Sequence, residues 1–121
     1  MAAPKTMKID DVEYVRKDSI KELPEVTDDY VIIRSRDSGV HAGYLDHRNG
    51  TEVRLTNARR IWKWSGAATL SELAMKGSAN PANCNVPAAV TEITVMGVCE
   101  VIPCTEEARV IIEGLKPWTM H

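Results

Sequence analysis

The sequence predicts an α+β protein: a small antiparallel β-meander, or a partly closed barrel, with two short helices packed against it. Strand-like runs at 30–36, 40–47 and 51–56 follow one another with short turns, which favours antiparallel pairing. Two later segments, 69–77 and 105–114, carry signals for both helix ends. The 121 residues are 44% hydrophobic and 26% charged, a composition typical of one globular domain.

One domain is expected to span residues 1–121. Residues 1–8 contain Pro4 and are expected to form a loose N-terminus. Residues 9–28 predict a short hairpin with a turn at Asp10 and Asp11, followed by a loop around Pro24. The core is expected at 29–118. No apolar run approaches the ~20 residues of a membrane span, so we expect no contact with a membrane.

The central strands alternate as a sheet with one buried face requires. In the run VHAGYLDH, Val40, Ala42 and Tyr44 fall on one side, and His41 falls on the other. The following pair Asn49-Gly50 is the strongest hairpin signal in the chain, because both residue types tolerate positive φ.

The segment NARRIWKWS can continue the meander as a fourth strand or form a helix. As a strand it places Arg60, Trp62 and Trp64 on one face and Arg59 on the other. As a helix it still brings Arg60 and Trp64 together at i, i+4. Both readings cluster a guanidinium with an indole.

The first helix is predicted from Thr69 as N-cap, Glu72 three residues later and Gly77 as C-cap. The polar stretch that follows, with Asn80–Pro87 at its centre, is long enough to be a functional loop. The run VTEITVMGVCEVI is interpreted as one strand with a bulge at Gly97. A second helix is then expected from Thr105 as N-cap to Gly114.

Charge and cysteine content exclude several classes of protein. The net charge of −2 and the pI near 5.9 argue against a dedicated duplex-DNA binder. Three cysteines at 84, 99 and 104 match no zinc or redox spacing and are expected to be reduced thiols. The histidines at 41, 47 and 121 do not form a zinc pattern. We find no catalytic motif, and we expect neither a metal, nor a cofactor, nor enzymatic activity.

The candidate ligand-binding residues centre on the segment RRIWKW. Arginine beside an exposed indole can stack a flat base and contact a phosphate. The alternative is that the tryptophans fill the core of a protein that has no phenylalanine, with the cations as a solvated rim. The candidate set is Arg54, Arg59, Arg60, Trp62, Lys63 and Trp64, with His41 and Tyr44 from the preceding strand run.

Several motifs resemble a family of small uncharacterised proteins encoded by tailed phages and prophages. They are AGYL at 42–45, NARR at 57–60, WKWSGA at 62–67, LSELA at 70–74 and IPCTEEA at 102–108. The resemblance covers roughly residues 29–118. It implies a phage origin and expression in the cytoplasm of a host bacterium, and it brings no activity with it.

Because small phage accessory proteins without catalytic motifs mostly bind a host component, we expect a counter-defence protein. The first hypothesis is a homo-oligomeric binder that sequesters a small nucleotide-derived immune signal. The alternatives are an inhibitor of a host defence protein, a virion component, and a binder of single-stranded nucleic acid. Homo-oligomers are expected because a meander exposes edge strands that need a partner or protection.

Overall fold

Five strands and two helices follow one another in a computed structural model, which describes residues 23–119. The predicted α+β class is therefore confirmed. Of the hairpin and loop predicted at 9–28, positions 9–22 lie outside the described residues. The elements are β1 (Val26–Ser35), β2 (Gly39–Asn49), β3 (Glu52–Arg60), α1 (Leu70–Lys76), β4 (Val90–Val95), β5 (Val98–Thr105) and α2 (Glu106–Glu113), with a 3₁₀ turn at Pro81–Asn83 before β4.

All strand pairs are antiparallel, in the order β4-β3-β2-β1-β5. The expected single strand across Gly97 is wrong: β4 ends at Val95 and β5 begins at Val98, on the opposite edge of the sheet. Gly97 has φ +71, so it forms a turn where a bulge was expected. The first strand also begins earlier than expected, since Val26 already pairs with Thr105.

The sheet curls so that its two far corners meet. The backbone N–H of Val98 donates to the carbonyl of Thr51 (2.9 Å), and the Ser35 hydroxyl donates to the carbonyl of Met96 (2.9 Å). The β4–β5 connection therefore packs against both the β2–β3 turn and the end of β1. β4 and β5 do not pair with each other, so the barrel stays open.

Both faces of the sheet are apolar. The concave face carries the inner cluster, which consists of Val31, Ile33, Val53, Leu55, Ala58, Val95 and Val98. The opposite face packs under both helices as the helix-side cluster, which consists of Tyr30, Ile32, Ala42, Ile61, Leu73, Ala74, Cys84, Val86, Cys104, Ala108, Ile112 and Leu115. The four consecutive residues 30–33 of β1 are all buried, because this strand faces one cluster with even and the other with odd positions.

The helix caps agree with the sequence prediction. The Thr69 hydroxyl accepts from the Glu72 N–H (3.1 Å), and Gly77 closes α1 with φ +73. Thr105 caps α2 by accepting from the Ala108 N–H (3.1 Å) and also donates to the carbonyl of Met75 (2.7 Å). This second bond ties the end of α1 to the start of α2. Within residues 23–119, neither helix has the length and apolar character to cross a membrane.

Candidate ligand cleft

A bulge in β3 decides where the two candidate arginines point. Asn57 has φ +47 and adds one residue to β3 opposite β2, where pairing passes from Thr56 to Arg59. Leu55 and Ala58 consequently share the inner cluster although their positions differ in parity. The bulge shifts the alternation by one residue. It turns Arg59 towards the helices and Arg60 towards the other face.

Arg59 is buried and structural. Its side chain is 4% exposed, and its guanidinium donates to backbone carbonyls at the end of α2 and in the loop before β4. The acceptors are the carbonyls of Val86 (2.8 Å), Pro87 (2.9 Å), Ile112 (2.8 Å), Leu115 (2.8 Å) and Glu113 (3.4 Å). A cation at the C-terminus of a helix also complements the helix dipole. With its donors engaged in this way, Arg59 stands apart from the candidate ligand site.

Arg60, Trp62 and Trp64 lie together along a surface depression of about 430 Å³, which we call the tryptophan cleft. Its volume lies within the range of about 300–1,000 Å³ typical of small-molecule sites. β3 ends at Arg60, so the segment beyond it forms neither the predicted fourth strand nor a helix, and Trp64 packs on the helix side while Arg60 faces the other way. The rest of the lining is Arg36, Asp37, Ser38, Gly39, Val40 and Ile61.

The two indoles of the cleft differ in burial. Trp62 is 66% exposed, whereas Trp64 is half-buried, packs against the helix-side cluster and donates from Nε1 to the carbonyl of Ala67 (3.2 Å). The core interpretation therefore applies to Trp64, whereas the ring of Trp62 is open to solvent. Trp62 offers an open aromatic face, and Trp64 forms a fixed wall.

The cationic side of the cleft comes from the end of β3 and from the β1–β2 turn. Arg60 is exposed and donates from one terminal nitrogen to the carbonyl of Ser38 (2.7 Å), which fixes it over the β1–β2 turn. Arg36, within that turn, has no ion-pair partner among residues 23–119. Sequence reasoning missed Arg36 and Val40 because they are close to RRIWKW only through the β2–β3 pairing. The pairing of Val40 beside Arg60 follows from His41 opposite Arg60.

Lys63 and Arg54 do not contribute to the cleft lining. Lys63 is exposed and forms an isolated bridge with Asn85. Arg54 lies near the other end of β3, where it faces Asp46 (3.6 Å) and Glu92 (3.7 Å). The four cationic candidates, Arg54, Arg59, Arg60 and Lys63, are thus distributed over different parts of the molecule.

His41 lies beneath the arginine of the cleft. It is 1% exposed, and it pairs with Arg60 on one side and Ile33 on the other. Within the described chain neither ring nitrogen has a hydrogen-bond partner. Burial, aided by the nearby Arg60 charge, lowers its pKa to about 4. His41 is therefore neutral at pH 7, which limits positive charge under the cleft.

Tyr44 lies on β2 outside the cleft, and its hydroxyl contacts side chains of α2. Its hydroxyl donates to Glu113 (2.9 Å) and accepts from Arg109 (3.2 Å), which also pairs with Glu106 and Glu113. Burial, followed by the bond to Glu113, raises the pKa of Tyr44. The buried ring of Tyr30 packs edge-on against Tyr44, with 4.9 Å between ring centres. This cluster anchors α2 to β1 and β2.

The loop at Asn80–Pro87 is held against the segment that follows β3. Asn85 exchanges backbone hydrogen bonds with Lys63, and the buried Ser78 hydroxyl donates to the carbonyl of Ser65 (2.5 Å). Cys84 is buried in the same junction and lies 3.4 Å from the Ser78 hydroxyl. These contacts place the loop as a support behind the tryptophan cleft.

None of the three cysteines lines the cleft itself. Burial raises the pKa of the Cys104 thiol to about 12, which keeps it protonated. No group of three or more metal-binding side chains occurs within residues 23–119. The polar side chains that line the cleft are two arginines, one aspartate and one serine, and the indole N–H of the exposed Trp62 is a further donor.

Residues 28–112 match a family described as a domain of unknown function, DUF6948. No curated protein and no solved structure matches the chain. Since the match spans more than half of the 121 residues, the protein belongs to this family.

Proposed function

We propose that this protein is a non-enzymatic binder that captures a small nucleotide-type ligand in the tryptophan cleft. The observation that carries the proposal is the 66% exposure of Trp62 beside Arg60 in a depression of about 430 Å³. A large aromatic face held open next to a fixed cation is the arrangement that stacks a base and contacts its phosphate.

The rigidity of the cleft supports capture. Arg60 is held by Ser38, and Trp64 is held by the carbonyl of Ala67, so neither side chain has to be ordered on binding. Preorganisation of this kind lowers the entropic cost of association. Because Arg36 has no ion-pair partner within residues 23–119, its guanidinium is available to bind an anionic ligand. Asp37 disfavours a second negative group at one end and orients the ligand.

We also propose a biological setting for this binding. The resemblance to phage and prophage proteins supports a counter-defence role, in which the protein sequesters a nucleotide-derived immune signal in the cytoplasm of an infected bacterium. Sequestration requires affinity and abundance without a chemical step. The two guanidiniums and two indoles of the cleft supply affinity for a nucleotide, which is what sequestration requires.

A nucleotide-binding assay with matched variants tests the proposal. Purified protein is titrated with adenosine and guanosine mono- and triphosphates while tryptophan fluorescence and the melting temperature are recorded. We expect quenching and a higher melting temperature, because a ligand that binds the folded state stabilises it. Trp62→Ala should weaken binding by about 1–3 kcal/mol, the usual cost of losing a stacking ring.

The matched control is the neighbouring lysine. Lys63→Ala removes the same charge as Arg60→Ala, one residue beyond Trp62 but outside the cleft lining. Arg60→Ala should weaken binding, and Lys63→Ala should leave it within twofold. Equal effects of both variants would indicate nonspecific charge attraction, and no response to any nucleotide would refute capture.

The exposed Trp62 also favours one alternative, inhibition of a host defence protein. Exposed tryptophan is enriched among the residues that dominate protein–protein affinity. In that case a host protein would form a complex with the native chain and not with Trp62→Ala, while nucleotides would leave the melting temperature unchanged.

We further propose that the chain forms homo-oligomers through its sheet edges. In the described part, β4 pairs with β3 alone and β5 with β1 alone, which leaves one unpaired edge on each. Val90 on β4 and Met96 in the adjoining turn are large exposed apolar residues (49% and 65%) near these edges. Native mass spectrometry should show a multiple of the chain mass, and a bare monomer at micromolar concentration would contradict association.

A further inference from the structure

The tryptophan cleft is one of three depressions that meet around Val40. A second, of about 490 Å³, has Val40, Trp64 and Leu70 as its apolar floor and Ser71 at its rim. The first and second depressions thus share both Val40 and Trp64. The half-buried Trp64 separates two sites that each have the size of a small-molecule pocket.

The third depression joins the other two on the cationic side. It has a volume of about 400 Å³, is lined by Arg34 and Arg36, and also reaches Val40. Arg36 is shared with the tryptophan cleft, and Arg34 is shared with the second depression. Arg34 forms an ion pair with Glu100 (3.2 Å), so Arg36 is the guanidinium of this depression that has no carboxylate partner in residues 23–119.

We infer that the ligand consists of two nucleotide units joined by one phosphodiester. This inference rests on the proposed function and specifies its ligand class. One base stacks on Trp62, the linking phosphate lies at Arg36, and the second base lies over Val40 and Leu70 against Trp64. Along the surface, Trp62 lies in the first depression, Arg36, unpaired within residues 23–119, borders the third, and the apolar floor of the second is bordered by the Arg34–Glu100 ion pair.

Length-matched nucleotides test this inference by titration calorimetry. The probes are adenosine and guanosine monophosphate, the 5′-phosphorylated linear dinucleotides of each, and the corresponding tetranucleotides. The dinucleotide should bind about 5- to 150-fold more tightly than the monophosphate, the factor that a second stacked base typically contributes. The tetranucleotide should bring no comparable further gain. A steady gain with length would overturn the two-unit ligand in favour of a single strand.

A blocking variant locates the second unit. Ser71 is exposed at the rim of the second depression, so Ser71→Tyr fills that site without touching Trp62 or Arg60. It should abolish the advantage of the dinucleotide and leave monophosphate affinity unchanged. Thr94→Tyr adds the same ring at an exposed position of β4 that lines none of the three depressions, and it should keep the advantage. Circular dichroism verifies that both variants fold.

The outcomes separate this inference from the proposed function. If monophosphate binds and the dinucleotide gains nothing, or if the gain survives Ser71→Tyr, the two-unit ligand is wrong and nucleotide capture stands. If neither class of nucleotide binds, both proposals fail.

Discussion

At the scale of single residues, the two adjacent arginines of β3 have opposite roles. Arg59 joins the end of α2 to the loop before β4 through bonds to backbone carbonyls, while Arg60 faces solvent at the cleft. Removing a buried charged donor leaves its acceptors unsatisfied, and each such loss costs about 1–3 kcal/mol. The positive charge of Arg59 therefore serves the interior of the protein.

Arg59→Met should lower the free energy of unfolding by about 3 kcal/mol or more, because several carbonyls lose their donor at once. Urea denaturation at pH 7 measures the change. The control is Arg54→Met, which removes a surface guanidinium with two exposed carboxylate partners and should cost about 0–1 kcal/mol. A similar small loss in both variants would contradict the structural role of Arg59.

His41 makes stability depend on pH. Its folded-state pKa, about 4, lies below the value of 6.5 expected in the unfolded chain, so the unfolded state binds the proton first as pH falls. The contribution of the neutral His41 to the free energy of unfolding is therefore complete above pH 6.5 and is lost as the pH falls from 6.5 to 4. The loss should be on the order of 1–3 kcal/mol.

Urea midpoints measured from pH 7 to 4 test this dependence. His41→Met replaces the buried ring by an apolar side chain and should flatten the profile over that range. His47→Gln changes an exposed histidine at the far end of β2 and should retain the wild-type profile. An unchanged profile in His41→Met would assign the acid sensitivity to other groups.

At the scale of elements, the β3 bulge sets the face that each later side chain occupies. Asn57 is the one non-glycine residue with positive φ in the described chain, and asparagine tolerates this region better than most residues. The partner strand accommodates the bulge with Gly43, where a Cβ would approach the carbonyl of Thr56 to 3.0 Å. The bulge at Asn57 therefore depends on the absence of a side chain at Gly43 on the partner strand.

Asn57→Val should destabilise the fold by about 1–3 kcal/mol, because a β-branched side chain is strained at φ +47. Asn57→Gly should be close to neutral, since glycine adopts this conformation freely. Thermal unfolding of the two variants distinguishes conformational strain from loss of the amide side chain. Equal losses in Val and Gly variants would attribute the effect to the amide.

Local signals in the sequence predicted most of these elements. Thr69 and Thr105 are correct as caps because capping depends on a few neighbouring residues. The bulge at Asn57 escaped prediction, and with it the burial of Arg59, because the residue sits between two β-compatible runs. The division at Gly97 depended on which edges β4 and β5 would join, a long-range pairing that alternation alone does not encode.

The candidate site was predictable in part for the same reason. Arg60, Trp62 and Trp64 are close in sequence, so their proximity in one depression could be predicted whatever the local backbone conformation. Arg36 and Val40 reach them across strand pairing. His41 and Tyr44, two candidates from one strand, lie on opposite faces of β2 because their positions differ in parity.

At the scale of the whole molecule, the thiols report on three levels of packing. Cys99 is exposed, whereas Cys84 and Cys104 are buried in the loop junction and beneath the helices. A reagent that reads free thiols should label one of the three cysteines in the native protein and all three in denaturant.

The two buried thiols should differ in their labelling rates. Cys84 becomes accessible when the loop opens locally, and Cys104 requires the helices to leave the sheet. Mass spectrometry of modified peptides over time measures both rates, and we expect modification of Cys84 before Cys104. Fast labelling of Cys104 in native buffer would contradict the packing of α2.

The meeting of the sheet corners at the β4–β5 turn sets the order in which the protein can assemble. During synthesis, β1 to β3 emerge early and can pair as hairpins, but the outer side of β1 waits for a strand made more than sixty positions later. Until then the inner cluster lacks Val95 and Val98, and its remaining apolar side chains stay accessible to solvent. Closing that corner, which depends on contacts between distant parts of the chain, is the step expected to limit the rate of folding.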